Sequence, residues 1–146
     1  MEYISHNLEE TKDIAREFST TLTGGEVIAL RGELGAGKTT FVQGLALALG
    51  VTDLVRSPTY TIMNVYKTAH KTIKQMVHLD LYRLQEAEDL DDLELEEWLN
   101  RKDVVIVAEW FGENQKRTPD IVVAFSYGDS EKERKIQIEI KQIFDI

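Results

Sequence analysis

The residues Gly32-Glu33-Leu34-Gly35-Ala36-Gly37-Lys38-Thr39 carry the spacing of a phosphate-binding loop: a glycine, four residues, then Gly-Lys-Thr. Glycines at 32, 35 and 37 let backbone N–H groups turn inward around an anion where side chains would block the approach. Lys38 is expected to reach the β- and γ-phosphates of a nucleotide, and Thr39 to offer its hydroxyl to a magnesium ion. A glycine-rich turn with a solvated lysine would spell the same letters. The apolar strand before the loop and the helix after it favour the phosphate site, because that helix points its positive end at the bound anion.

Phosphate-loop chemistry also needs an acid at the end of a neighbouring buried strand, to hold magnesium or position water. Two residues qualify. Glu109 ends the apolar run Val104–Ala108, and Asp80 sits within His78-Leu79-Asp80-Leu81-Tyr82-Arg83. Either could instead be structural, Glu109 paired to a nearby base and Asp80 to Arg83. His78 taken alone reads as a satisfied structural histidine, and Trp110 reads equally as core or as a surface anchor for a partner.

The elements that must position these groups follow from the apolar pattern. Tyr3 and Ile4 start a short edge strand, and a helix is expected from Leu8 to about Leu22, with Asn7 and Glu10 at capping-box spacing. Val27–Leu30 is a continuous apolar run, the mark of a strand buried on both faces. A helix opens at Lys38, buries Phe41, Val42, Leu45 and Leu49, and is expected to end on a left-handed Gly50. Tyr60–Tyr66 and Ile73–Leu81 read as an antiparallel pair. The acidic segment Glu86–Glu97 should hold a helix that turns Leu90, Leu93, Trp98 and Leu99 inward. Val104–Ala108 is a second buried strand, and Ile121–Tyr127 with Lys135–Ile140 form a hairpin about Gly128-Asp129-Ser130. The expected fold class is α/β: one P-loop domain over residues 1–146, with a mixed sheet that is parallel around the phosphate loop and carries added antiparallel strands.

Composition narrows the function. The chain has 146 residues, 42% hydrophobic and 29% charged, as in a globular domain with one core. Its formal charge of −9 repels phosphate backbones, so strong direct binding to nucleic acid is not expected. With no cysteine, disulfides and thiolate metal sites are excluded, which fits a cytoplasmic location. The N-terminus lacks a signal-peptide pattern, and no apolar stretch approaches the ~20 residues that span a bilayer, so no membrane partner is expected.

Taken together, the loop, Ser57-Pro58-Thr59-Tyr60, His78-Leu79-Asp80-Leu81-Tyr82-Arg83 and Glu109-Trp110 resemble the TsaE family, bacterial ATPases required for threonylcarbamoyladenosine formation in tRNA. The resemblance covers nearly the whole chain in order, spacing and length, and the second and third segments are far more specific than the loop. It implies ATP bound through Gly32, Leu34, Gly35, Ala36, Gly37, Lys38, Thr39 and Thr40, with Thr59 sensing the γ-phosphate from a switch loop. It also implies magnesium held by Thr39 and Glu109, and hydrolysis that depends on Asp80, Glu109 and Lys38. The tryptophan near the nucleotide would be Trp110. The segment Phe111-Gly112-Glu113-Asn114-Gln115 departs from the acidic stretch that many members carry after that tryptophan. The implied partners are TsaD and TsaB, which act on the tRNA while the ATPase supports their repeated turnover.

Two other classes share the loop. A small-molecule kinase would need an arginine-bearing lid to exclude water, and the seven arginines here are scattered. A GTP-dependent switch would need a guanine-reading Asn-Lys-x-Asp after a strand. Asn100-Arg101-Lys102-Asp103 stands before one, with its lysine displaced.

Overall fold

Two apolar runs form the middle of the sheet. Val27–Arg31 is strand β2 and Val104–Glu109 is β5, and every residue of β5 is buried, as expected of a strand covered on both faces. The computed structural model describes residues 1–33, 35–53, 55, 63–80, 95–109 and 118–141. Expectations placed on Leu34, Ser57–Tyr60 with Thr59, Leu81–Arg83, Leu90, Leu93 and Trp110–Gln115 lie outside the described residues.

Around this pair the chain lays down β1 (Glu2–Ser5), α1 (Leu8–Ser19), α2 (Lys38–Ala48), β3 (Met63–Lys67) and β4 (Gln75–Asp80). The remaining elements are α3 (Leu95–Leu99), β6 (Ile121–Tyr127) and β7 (Arg134–Ile140). The seven strands form one sheet in the order β1-β7-β6-β2-β5-β4-β3. β6, β2, β5 and β4 run parallel, while β3, β7 and β1 are added antiparallel. This is the expected α/β class with its mixed sheet, including the β3–β4 pair and the β6–β7 hairpin.

Alternation along the strands divides the core in two. Ile28, Leu30, Met76, Val105, Val107, Val123 and Phe125 face one way and pack with Phe18, Phe41 and Leu45 of α1 and α2. Val27, Ala29, Val77, Leu79, Ile106 and Ala108 face the other way, where Trp98 and Leu99 of α3 pack against them.

The local chemistry explains where the elements stop. At the start of α1, the Asn7 side chain accepts from the Glu10 N–H at 2.9 Å. The Glu10 carboxylate reaches one residue further back than a capping box would and accepts from the His6 N–H at 2.8 Å. The helix was expected to run to Leu22 and ends at Ser19. Ser19, Thr20 and Thr21 each turn a hydroxyl back onto the carbonyl three residues earlier, and Thr21 and Leu22 N–H groups make the same tighter step. Side-chain hydroxyls thus compete for the carbonyls that a further turn would need. Leu22 is buried all the same. Gly50 follows α2 with φ +85°, as expected of its terminating residue.

α1 lies on α2 through a close contact at Gly44. A Cβ added there would stand 2.8 Å from Lys12 Cα and 2.9 Å from Lys12 O, both backbone atoms of the facing helix. Only a residue without a side chain lets the helices approach this far. Among the described residues, no helix is long and apolar enough to cross a membrane.

Gly44→Val should therefore push α1 from α2 and cost about 2–3 kcal/mol, the scale of an overpacked core site. Leu47→Ala, at a side chain 72% exposed on the same helix, should stay within about 0.5 kcal/mol of the parent. Urea unfolding midpoints measure both. Equal stability of Gly44→Val and the parent would contradict the close-contact reading.

Candidate functional site

The site forms where β2, β5 and β4 end side by side. In the parallel register Leu30 stands opposite Glu109 and Asp80 stands opposite Glu109 on the other flank, so the two carboxylates occupy adjacent strand ends. Strand alternation places His78 and Asp80 on the face of Met76, and Glu109 on the face of Val105 and Val107. That is the face covered by α2. The carboxyl ends of parallel strands are also where open α/β sheets take their ligands.

The phosphate loop leaves β2 at the same edge. Gly32 has φ +150°, and a Cβ there would lie 2.8 Å from Phe125 O, so β6 leaves no room for any other residue. Gly37 caps α2 at φ +108°, in the left-handed region that favours glycine. No side chain caps this helix, and its first turn holds no acidic residue. The N-terminal N–H groups of a helix need partners from outside the helix, and here the sequence supplies none of the usual ones. A bound phosphate would.

Lys38, the first residue of α2, is 5% exposed and donates its ammonium to the Gly32 carbonyl across the loop. Burial pushes its pKa below the ordinary lysine value, while the charges of Glu109 and then Asp80 work in the opposite direction. A buried ammonium whose desolvation is only partly offset gains from a polyanion placed beside it. Thr39 and Thr40 follow, both half-buried in the first turn.

Glu109 is almost fully buried at 5% exposure, and its Oε2 lies 2.8 Å from Nε2 of His78, which is 0% exposed. Asp80 is half-buried at the last position of β4. The acids, the lysine and the loop, separate in sequence, are therefore brought together. Thr39, Asp80 and Glu109 offer a hydroxyl and carboxylates, hard oxygen donors of the kind magnesium takes alongside nucleotide phosphates and water. Among the described residues no group of three or more His, Cys, Asp or Glu side chains is placed to hold a metal ion unaided.

His78, which reads from the sequence as a structural histidine, is the direct partner of Glu109, so that acid takes the base-paired arrangement the sequence left open for it. The signal available was the spacing of two between His78 and Asp80 on a strand, which forces both onto one face. Tyr127 was also passed over. It lies on the same face of β6 as Val123 and Phe125 but is 48% exposed, and a Cβ at Gly35 would meet its hydroxyl at 3.4 Å. The Arg134 guanidinium lies 4.6 Å from the centre of the Tyr127 ring, its register partner on β7. This pair makes the hairpin a wall beside the loop.

Comparison with known proteins shows the family. The family model described as threonylcarbamoyl adenosine biosynthesis protein TsaE matches residues 5–137. The tRNA threonylcarbamoyladenosine biosynthesis protein TsaE of Aquifex aeolicus is 39% identical over 139 residues, covering 94% of each chain. Its namesake from Bacillus subtilis is 38% identical over 130 residues, covering 87% of this chain and 78% of that protein. The crystal structure of Bacillus subtilis YdiB superposes with a TM-score of 0.72 at 29% identity, covering 93% of this chain and 82% of that one. By a family match over residues 5–137, and by relatives 38–39% identical over 87–94% of its length, this chain belongs to the TsaE family.

Proposed function

We propose that the chain binds ATP with magnesium at the Gly32–Thr40 loop and hydrolyses it in support of threonylcarbamoyladenosine formation on tRNA. The observation that carries this reading is the meeting of buried Lys38 with Asp80 and Glu109 beside an uncapped helix N-terminus. The biosynthetic role is supported by the names of the relatives, tRNA threonylcarbamoyladenosine biosynthesis proteins.

In this reading the loop amides and Lys38 hold the phosphates and stabilise the charge that develops as the terminal phosphoryl group leaves. Magnesium, when bound, neutralises further phosphate charge, and Thr39 and Glu109 are the residues that would hold it. Asp80 is proposed to orient the attacking water, with Glu109 as the alternative in that role. Their placement on neighbouring strand ends lets both act at one reacting centre. The proposed partners are TsaD and TsaB, which would act on the tRNA, in the cytoplasm. A net charge of −9 suits a protein that leaves RNA contact to its partners.

Isolated protein should hydrolyse ATP slowly, and addition of a TsaB–TsaD complex should raise the rate. Lys38→Ala should abolish both activities through loss of nucleotide binding. Asp80→Asn should bind ATP like the parent but lose about 100-fold or more in kcat, the scale of a missing general base. Steady-state phosphate release, alone and with the complex, measures all of these. Normal hydrolysis by Asp80→Asn in the complex would refute its catalytic role, and no stimulation or association would remove the proposed task while leaving the nucleotide site.

Chelation gives an independent check. Excess EDTA should eliminate hydrolysis in the parent, and added magnesium should restore it. Undiminished turnover in EDTA would contradict the metal assignment to Thr39 and Glu109.

A further inference from the structure

His78 is a buried polar residue that the proposed chemistry does not use. It occupies the middle of β4 at 0% exposure, on the face of Met76 and against the core beneath α2. An apolar side chain would fill this position without the cost of burying a ring with two polar atoms. Buried histidines ordinarily satisfy both nitrogens. Here Nε2 lies 2.8 Å from Glu109 Oε2, and among the described residues Nδ1 is buried with no hydrogen-bond partner. Among the described residues, the polar partner of the ring is Glu109.

We infer that His78 is a positioning residue that fixes the Glu109 carboxylate for magnesium, a role that rests on the nucleotide reading above. A carboxylate oxygen accepts hydrogen bonds, so the positioning role takes Nε2 of His78 as the donor to Oε2 of Glu109. The contact runs diagonally across the parallel ladder, since His78 stands opposite Val107 while Glu109 stands opposite Asp80. It therefore holds Oε2 back along the sheet, and Oε1 is the oxygen that this role assigns to the cation.

The alternative resting place for Glu109 is Lys38, whose ammonium its charge already favours. A carboxylate collapsed onto that ammonium would occupy the group meant for the phosphates and withdraw the acid meant for the metal. The imidazole opposes this collapse with a directed hydrogen bond inside the core, where such bonds are stronger than in water. Partners that orient metal ligands in this way commonly govern metal affinity by 10–100-fold.

Three variants of the full chain test the inference. His78→Leu removes the donor. His78→Gln keeps an amide N–H near the position of Nε2. His78→Asn has the same chemistry but is too short to reach Glu109. Isothermal titration with ADP, in EDTA and across a magnesium series, separates nucleotide affinity from the gain that magnesium adds. In EDTA all variants should bind ADP like the parent. In magnesium, His78→Leu and His78→Asn should need about ten-fold more metal to reach the same affinity, and His78→Gln should recover most of the loss.

Circular dichroism and thermal melts establish folding, and if His78→Leu fails to fold, the Asn–Gln pair carries the comparison. A parental magnesium response in His78→Asn or His78→Leu, or equal losses in Asn and Gln, would overturn the positioning role. A parent whose ADP affinity does not respond to magnesium would overturn the nucleotide–metal reading itself, and this role with it.

Discussion

The parallel register that places β5 between β2 and β4 is the constraint on which the site depends. Leu30, Glu109 and Asp80 lie opposite one another across it, so three segments far apart in the chain end at one level. A shift of one residue in β5 would turn Glu109 to the face of α3 and carry Val105 and Val107 out of the core beneath α2. Val104–Ala108 is apolar on both faces and buried at every position, so hydrophobicity alone does not choose between these registers; the ladder with β2 and β4 sets the face of Glu109.

Burial also gives the site its electrostatics. Lys38, Glu109 and His78 are charged or polar groups with almost no exposure, gathered at one end of the core. Isolated, each would be costly in a low dielectric. Together they partly compensate: the acids support the lysine charge, and the imidazole supports Glu109. The compensation stays incomplete, because burial still depresses the Lys38 pKa and the α2 N-terminus has no side-chain cap. Both remaining deficits are of the sign that a magnesium-bound polyphosphate corrects.

The central fold was legible because its signals are local. Val27–Leu30 and Val104–Ala108 are unbroken apolar runs, and the alternation of Ile121–Tyr127 and of the strand after Gly128 identifies a hairpin. Lys38, Asp80 and Glu109 could be named from motif and strand position. The end of α1 could not, because three successive hydroxyl residues decide it against the apolar stripe that continues to Leu22. Nor could the His78–Glu109 bond, which joins residues 31 positions apart and depends on which strands become neighbours. Tyr127 was hidden for the same reason: its place beside Gly35 follows from β6 pairing with β2.

The proposed metal–nucleotide complex would sit at the shared ends of β2, β5 and β4. A crystal structure with a non-hydrolysable ATP analogue and manganese, located by its anomalous signal, tests this placement most directly. The terminal phosphates are expected on Lys38 Nζ and the N-terminal amides of α2, with the metal beside Thr39 Oγ1 on the side of Asp80 and Glu109. A nucleotide bound elsewhere, or a metal remote from both carboxylates, would contradict it.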